Sequence, residues 1–368
     1  MTISGSTQPP DSPSEVSLEE LFDGFFKTRP ASHQEIDKGR LGDLVAFEEA
    51  HFKDFYQADV LQEIRQVINR RLGALGKRIQ PPNGPATLFF DYVESSQSNG
   101  MTFSVDGKYF VGITSSMLLD FDKAAVALAG RAAVRNLLGI SKDAAAIWAL
   151  ITALLSLQVQ FTVFHELGHI FHDHTGARNF RSEYRLSGDE QMRLIYPNQD
   201  AVQAKEWLAD RHAVRMLLTD LIGTVMGANF KRMTQSSLSE DECVLWLIVL
   251  AIGATFFFGP RERFYPPLIR KRSYPFALAR LNIIMRSIVE WAETNNREDI
   301  RAWASDTKNF EWATSCIREA ADDEDRALEW VAQGQFLQSV EGREYLDVIY
   351  KEDSIITPAV EERWWKLV

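Results

Sequence analysis

The stretch from Ala144 to Phe164 carries no charged residue, and it runs straight into His165-Glu166-Leu167-Gly168-His169. A helix of this length is long enough to cross a bilayer. It also holds Thr152, Ser156, Gln158, Gln160 and Thr162. A helix buried in a protein core explains the run more simply and sets a strong constraint, because other elements must then cover it on every side. A second apolar run, Val244 to Phe258, is short for a membrane span and reads as a core helix too. The competing reading is a chain embedded in a membrane.

Around these runs the pattern is mostly helical. Ser17 followed by Glu20 resembles a capping box ahead of a helix over Leu18–Lys27, and Gly42 to Leu75 reads as helical. Pro81 to Pro85 is a loop. Ala86 to Val93 is rich in β-branched and aromatic residues, and Met101–Val105 and Lys108–Thr114 flank Asp106-Gly107, a hairpin signal. A small antiparallel sheet is expected there, N-terminal to the long apolar helix. Helices are expected over Ala124–Leu138, Ala144–His172 (with a break near its middle), Ala201–Leu218 and Val244–Phe258. Further helices are expected over Phe276–Asn295, Arg297–Ala304 and Asp323–Gln333. Gly176–Asn198 reads as a polar surface loop, Gly259–Pro275 as a turn region, and Trp364-Trp365 as packing residues. The segments divide as a disordered tail at 1–16, a helical and β-hairpin part at 17–140, a core at 141–285 and a helical part at 286–368.

The chain has 368 residues, 45% of them hydrophobic and 25% charged, which suits a soluble globular protein. A net charge of -11 argues against a general nucleic-acid binder, whose surface would be basic. Two cysteines, Cys243 and Cys316, cannot build a disulfide scaffold or a cysteine-rich zinc site, and they suit a reducing cytoplasm. Met1–Glu15 lacks the basic and apolar regions of a secretory signal, so an unexported chain is expected.

Residues four apart on a helix share a face, so His165 and His169 can direct imidazole nitrogens at one ion. Zinc takes histidine nitrogen at about 2.0–2.1 Å, and a catalytic zinc needs three protein ligands with a fourth position open. Glu166, one residue on from His165, projects beside that ion, where it can take a proton from water activated by the metal. Five of the seven histidines fall between His165 and His212, and Gly168 permits close approach of another element. A helix with two hydrogen-bonded histidines would show the same spacing.

The third ligand must come from elsewhere. One zincin class places Gly seven residues after the first histidine and His ten after; here those positions are His172 and Thr175. His172 lies a turn beyond His169 and His174 points away; both suit polar residues at a helix end. Glu206 and Asp210 share a helical face, so Glu206 can bind the ion and Asp210 can fix the tautomer of a ligand histidine. Two solvated carboxylates on an amphipathic helix would have the same spacing. His212 reads as a surface histidine.

With these residues in place the chain resembles the gluzincin metallopeptidases, in which a two-histidine helix is followed by a glutamate on a later helix. The resemblance covers His165 to Arg280. Glu206-Trp207-Leu208-Ala209-Asp210 looks like the glutamate helix of that clan. Ser273-Tyr274-Pro275 with Arg280 resembles the downstream element of HtpX and CAAX-type proteases, with Tyr274 where those have histidine. Size and the histidine-rich helix resemble the Lit-type phage-exclusion peptidases. The resemblance implies an α+β, mostly helical fold with a zincin-like core. It also implies one zinc ion per chain held by His165, His169 and Glu206, with Glu166 as catalytic base and Asp210 orienting a ligand. Tyr274 is an oxyanion donor or a packed tyrosine. Peptide-bond hydrolysis in a protein substrate, in a bacterial cytoplasm and in a host-defence setting, is the expectation it carries. Zincins hold extended peptides on a sheet edge, and Met101–Thr114 is the candidate edge. The rivals are an ImmA/IrrE-like repressor-cleaving protease, a protease of the inner membrane, and a non-catalytic protein with structural zinc.

Overall fold

A computed structural model describes residues 45–46, 58–77, 79–80, 87–94, 98–105, 108–171, 199–232, 234, 236–259, 264–271, 275–321, 323–361 and 366–367. The expectations for the 1–16 tail, Leu18–Lys27, Asp106-Gly107, His172, His174, the loop before Gln199, Tyr274 and Trp364-Trp365 lie outside the described residues.

The structure is mostly helical, with a small mixed sheet ahead of the long apolar helix. Strand β1 (Val45–Ala46) and helix α1 (Ala58–Gly76) come first, then β2 (Ile79–Gln80), β3 (Thr87–Glu94), β4 (Gly100–Val105) and β5 (Lys108–Thr114). Helices α2 (Ser115–Gly130), α3 (Ala132–Leu138) and α4 (Ala144–Phe171) lead into α5 (Gln199–Leu221), α6 (Val225–Arg232) and α7 (Glu240–Phe258). A 3-10 helix (Pro266–Lys271) precedes α8 (Ala277–Thr294), α9 (Glu298–Ser305), α10 (Thr307–Ala320), α11 (Glu324–Gln338), α12 (Val340–Glu361) and β6 (Lys366–Leu367). Strands β2 and β6 form a separate antiparallel pair.

The main sheet has the order β1-β3-β5-β4. The expected antiparallel sheet is corrected here: β4 and β5 are an antiparallel hairpin, but β5 lies parallel to β3. The chain leaves β3, skips one position to lay down β4, and returns along β5 into the gap. Helix was expected at Val45–Ala46; those residues instead pair antiparallel with Val93 and Glu94. The outer edge of β3 is further occupied by Asn69 of α1, whose amide accepts from the Phe90 N–H at 2.9 Å and donates to the Phe90 carbonyl at 2.8 Å. Among the described residues, no strand pairs with the outer side of β4.

The helix expected over Ala124–Leu138 begins earlier, at Ser115, and is interrupted at Arg131, whose backbone is extended (φ -80°, ψ 126°). Thr114 starts α2: its hydroxyl accepts from the Met117 N–H at 3.3 Å. Helix α4 runs unbroken, and with α7 it forms the interior. Both are long and apolar enough to cross a membrane, yet 72% and 78% of their most apolar windows are buried within the protein. Helix α4 packs against α2, α5, α7, β4 and β5, and α7 packs against α2, α4, α6, α8 and α10. This all-round covering suits helices with no polar face. One cluster of buried side chains extends from Leu61 to Ile349.

Helices α4 and α5 cross closely. A Cβ placed on Gly168 would stand 2.9 Å from Ala209 Cα, inside any real contact. Glycine is required here for approach rather than for backbone conformation. Replacing Gly168 with Val is expected to force the helices apart at a cost of about 1–3 kcal/mol, measurable as a lower urea midpoint.

Candidate metal centre

The crossing is antiparallel: Gly168 meets Ala209, His165 meets Asp210, and His169 meets Glu206. His165 and His169 stand one turn apart on α4 and face the same way, as their spacing predicts. Glu206 and Asp210 stand one turn apart on the facing side of α5. His165 Nε2 and His169 Nε2 are 3.1 Å apart. Glu206 Oε2 lies 3.4 Å from His165 Nε2, and Glu206 Oε1 lies 3.6 Å from His169 Nε2. His165, His169 and Glu206 therefore form a group able to hold a metal ion.

These spacings fit a coordinating set. Tetrahedral coordination at about 2.0–2.1 Å places neighbouring donor atoms roughly 3.3–3.4 Å apart. Glu206 Oε2 is buried with no well-formed hydrogen bond, its neighbour His165 Nε2 standing 3.4 Å away, a costly state for a carboxylate oxygen unless a cation meets it. The tautomer also fits. Asp210 Oδ1 lies 2.8 Å from His165 Nδ1. An ionised carboxylate only accepts, so Nδ1 carries a proton, and when His165 is neutral it is the Nε2 lone pair that faces Glu206 and His169.

Asp210 is fully buried and is held by Arg280 of α8. Arg280 Nε donates to Oδ2 at 2.8 Å and Nη2 to Oδ1 at 2.6 Å. Burial alone would raise the Asp210 carboxyl, but the Arg280 charge and its hydrogen bonds, together with His165, hold it below the usual carboxylate range. The guanidinium lies over the Phe256 ring at 4.2 Å, and Phe256 meets Phe161 edge-on at 5.6 Å. Phe161 is one turn before His165 on α4.

Glu166 is buried beside the group. Burial pushes its carboxyl up, against the pull of His169 and His165. Its carboxylate rests against the start of β4: a Cβ on Gly100 would stand 2.7 Å from Glu166 Oε1. Burial raises Glu206 too, but His169 and His165 more than reverse this, and the group is strongly lowered. Burial disfavours the His165 imidazolium, yet hydrogen bonds and charge from Asp210 and Glu206 raise it to about 10. The pocket is thus built to hold positive charge.

The expectation of a surface histidine at 212 is refined: His212 is half-buried and packs edge-on against Phe171 at 5.1 Å. Burial, then the neighbouring Arg215 charge, lowers it to about 4. Arg280, flagged in the sequence as able to bond a carboxylate or a helix end, bonds Asp210, although its partner 70 positions away could not be named from the sequence. Gly100 carried no usable signal, because it follows Asn99 and reads locally as a turn.

No family model, no curated protein and no solved structure matches the chain, so the reading of this centre rests on its own geometry.

In the metal-free protein the raised His165 value means that the folded state holds a proton the unfolded chain releases near 6.5. Its contribution to stability is complete below pH 6.5 and is lost as pH climbs towards 10. Urea unfolding of metal-free protein across that window is expected to show falling stability, and Asp210→Asn is expected to flatten the decline.

Proposed function

We propose that this chain is a zinc-dependent peptidase that cleaves a protein substrate in the cytoplasm. The observation that carries the reading is the convergence of two imidazole nitrogens and one carboxylate at 3.1–3.6 Å, with a further buried carboxyl, Glu166, alongside. Two nitrogens and one oxygen form a donor set suited to zinc, and three protein ligands leave one position open for chemistry. A structural zinc would need a fourth protein ligand, and among the described residues the group has three.

Zinc bound by this set supplies Lewis acidity, lowering the pKa of water and polarising a carbonyl. Glu166 accepts the proton of the attacking water and returns it to the leaving amine. Its burial favours this role, because a carboxyl raised from its ordinary range is a stronger base when ionised. Asp210 keeps His165 in the tautomer that offers Nε2, and Arg280 keeps Asp210 ionised.

The outer edge of β4, which no strand among the described residues covers, supports an extended peptide as substrate. The Thr114 N–H donates to the Asn99 carbonyl at 3.0 Å, which makes Asn99 and Thr114 a hydrogen-bonded pair. Alternation along the antiparallel register then makes Gly100↔Ile113 and Thr102↔Val111 non-bonded pairs. The backbone polar groups of Gly100 and Thr102 therefore point outwards, beginning beside Glu166. A peptide strand added there would run past the base with its amides bonded to β4. The likeness to Lit-type peptidases supports a host-defence setting for the same chemistry. Burial of α4 and α7 supports the cytoplasmic reading; recovery in a detergent-free soluble fraction tests it, and recovery only with membranes would support the inner-membrane rival.

Elemental analysis of purified protein is expected to give one zinc per chain, lost in Glu206→Ala. Glu166→Gln is expected to keep the zinc and to slow cleavage of labelled casein about 10²–10⁴-fold. Full activity in that variant would remove the proposed role of Glu166. Asp210→Ala is expected to weaken zinc affinity roughly 10–100-fold, read by competition with a chelator.

A further inference from the structure

We propose that Gly100 and Thr114 are positioning residues for Glu166: the first supplies the space its carboxylate occupies, and the second holds that space in place. This rests on the peptidase reading of Glu166.

A glutamate has three rotatable bonds, and burial alone does not aim its carboxylate. In this protein Glu166 occupies the volume that a side chain at position 100 would fill. A Cβ on Gly100 would stand 2.7 Å from Glu166 Oε1, 3.3 Å from Glu166 Cδ and 3.0 Å from Thr162 Cγ2. The slot is thus bounded by the bare backbone of Gly100 on the strand and by the Thr162 methyl on the helix. The Thr162 hydroxyl donates to the Gln158 carbonyl at 2.9 Å, which fixes its rotamer with the methyl beside Gly100.

The slot lies between β4 and α4, and Thr114 ties down the β4 side at the end nearest Glu166. Thr114 is fully buried. Its N–H donates to the Asn99 carbonyl at 3.0 Å, and its hydroxyl accepts from the Asn99 N–H at 2.9 Å and from the Met117 N–H at 3.3 Å. One side chain therefore ties the residue before Gly100 to the end of β5 and to the first turn of α2. Misplacing a reacting group by about 1 Å can cost 10²-fold in rate, so a tether on the strand that abuts the base bears directly on its aim.

Acetohydroxamate is a probe that needs no known substrate: it chelates an open zinc site and hydrogen-bonds to a carboxylate beside the metal. Its affinity for the zinc-loaded full chain is measured by calorimetry. Gly100→Ala is expected to weaken binding at least tenfold with zinc stoichiometry unchanged, as is Glu166→Ala. In the Glu166→Ala background, where there is no carboxylate to displace, adding Gly100→Ala is expected to cost less than a further twofold. Thr114→Val is expected to resemble Gly100→Ala, and Thr114→Ser to restore wild-type affinity. Wild-type affinity in Gly100→Ala, or the same tenfold loss with Glu166 already removed, would overturn the role of Gly100. Wild-type affinity in Thr114→Val would overturn that of Thr114. A wild-type chain that binds neither zinc nor acetohydroxamate would instead bring down the peptidase reading, and this inference with it.

Discussion

Two helices can bring four polar side chains to a point only if their axes come close, and here Gly168 against Ala209 permits that approach. The contact lies within one turn of every pairing that follows: His165 with Asp210, and His169 with Glu206. Antiparallel crossing matters as much as closeness. It lets a four-residue spacing on α4 face a four-residue spacing on α5, so the outer carboxylate reaches one histidine's Nδ1 while the inner one reaches the Nε2 side. A wider separation would leave room for water between the pairs and would relax every distance at once.

The charge pattern follows from that geometry. Glu166, Glu206 and Asp210 are carried on helices packed into an apolar interior, where an unmatched carboxylate is costly. Arg280 answers Asp210 directly. Glu206 is left facing two imidazoles, and the hydrogen bonds and charge of Asp210 and then of Glu206 are what raise His165 against its burial. A divalent cation in the same place would match Glu206 with fixed charge, so binding it would stabilise the fold as well as the centre.

How much of this could be read from the chain depended on range. The helix bearing His165 and His169 was legible because its signal is local: an apolar run followed by a one-turn spacing. Glu206 and Asp210 were legible as a spaced pair, but their closeness to the first motif is a tertiary fact. Strands β3, β4 and β5 were legible as strands, whereas their order was not, because β5 entering between β3 and β4 leaves no trace in any one segment. Val45–Ala46 reads as part of a helical pattern and becomes a strand only because β3 offers an edge to pair with. Helices α10 and α12 went unread. Helix α10 starts at the Asp306 cap, whose carboxylate accepts from the Lys308 N–H, and it buries only a narrow stripe including Ala313, Cys316 and Ile317. The role of Gly100 depends on what lies across from it, which no local pattern encodes.

The aromatic stack beneath the centre links core and chemistry. The Arg280 guanidinium is held on one side by both oxygens of Asp210 and on its face by Phe256, which is itself set by Phe161. Phe161 and His165 stand one turn apart on α4, so the helix that carries the imidazole also carries the ring against which Phe256 rests. A displacement of α7 would shift Phe256, tilt the guanidinium and loosen Asp210. The apolar interior around α4 therefore does more than bury surface: it fixes the angle from which the only arginine clamping Asp210 among the described residues approaches the centre.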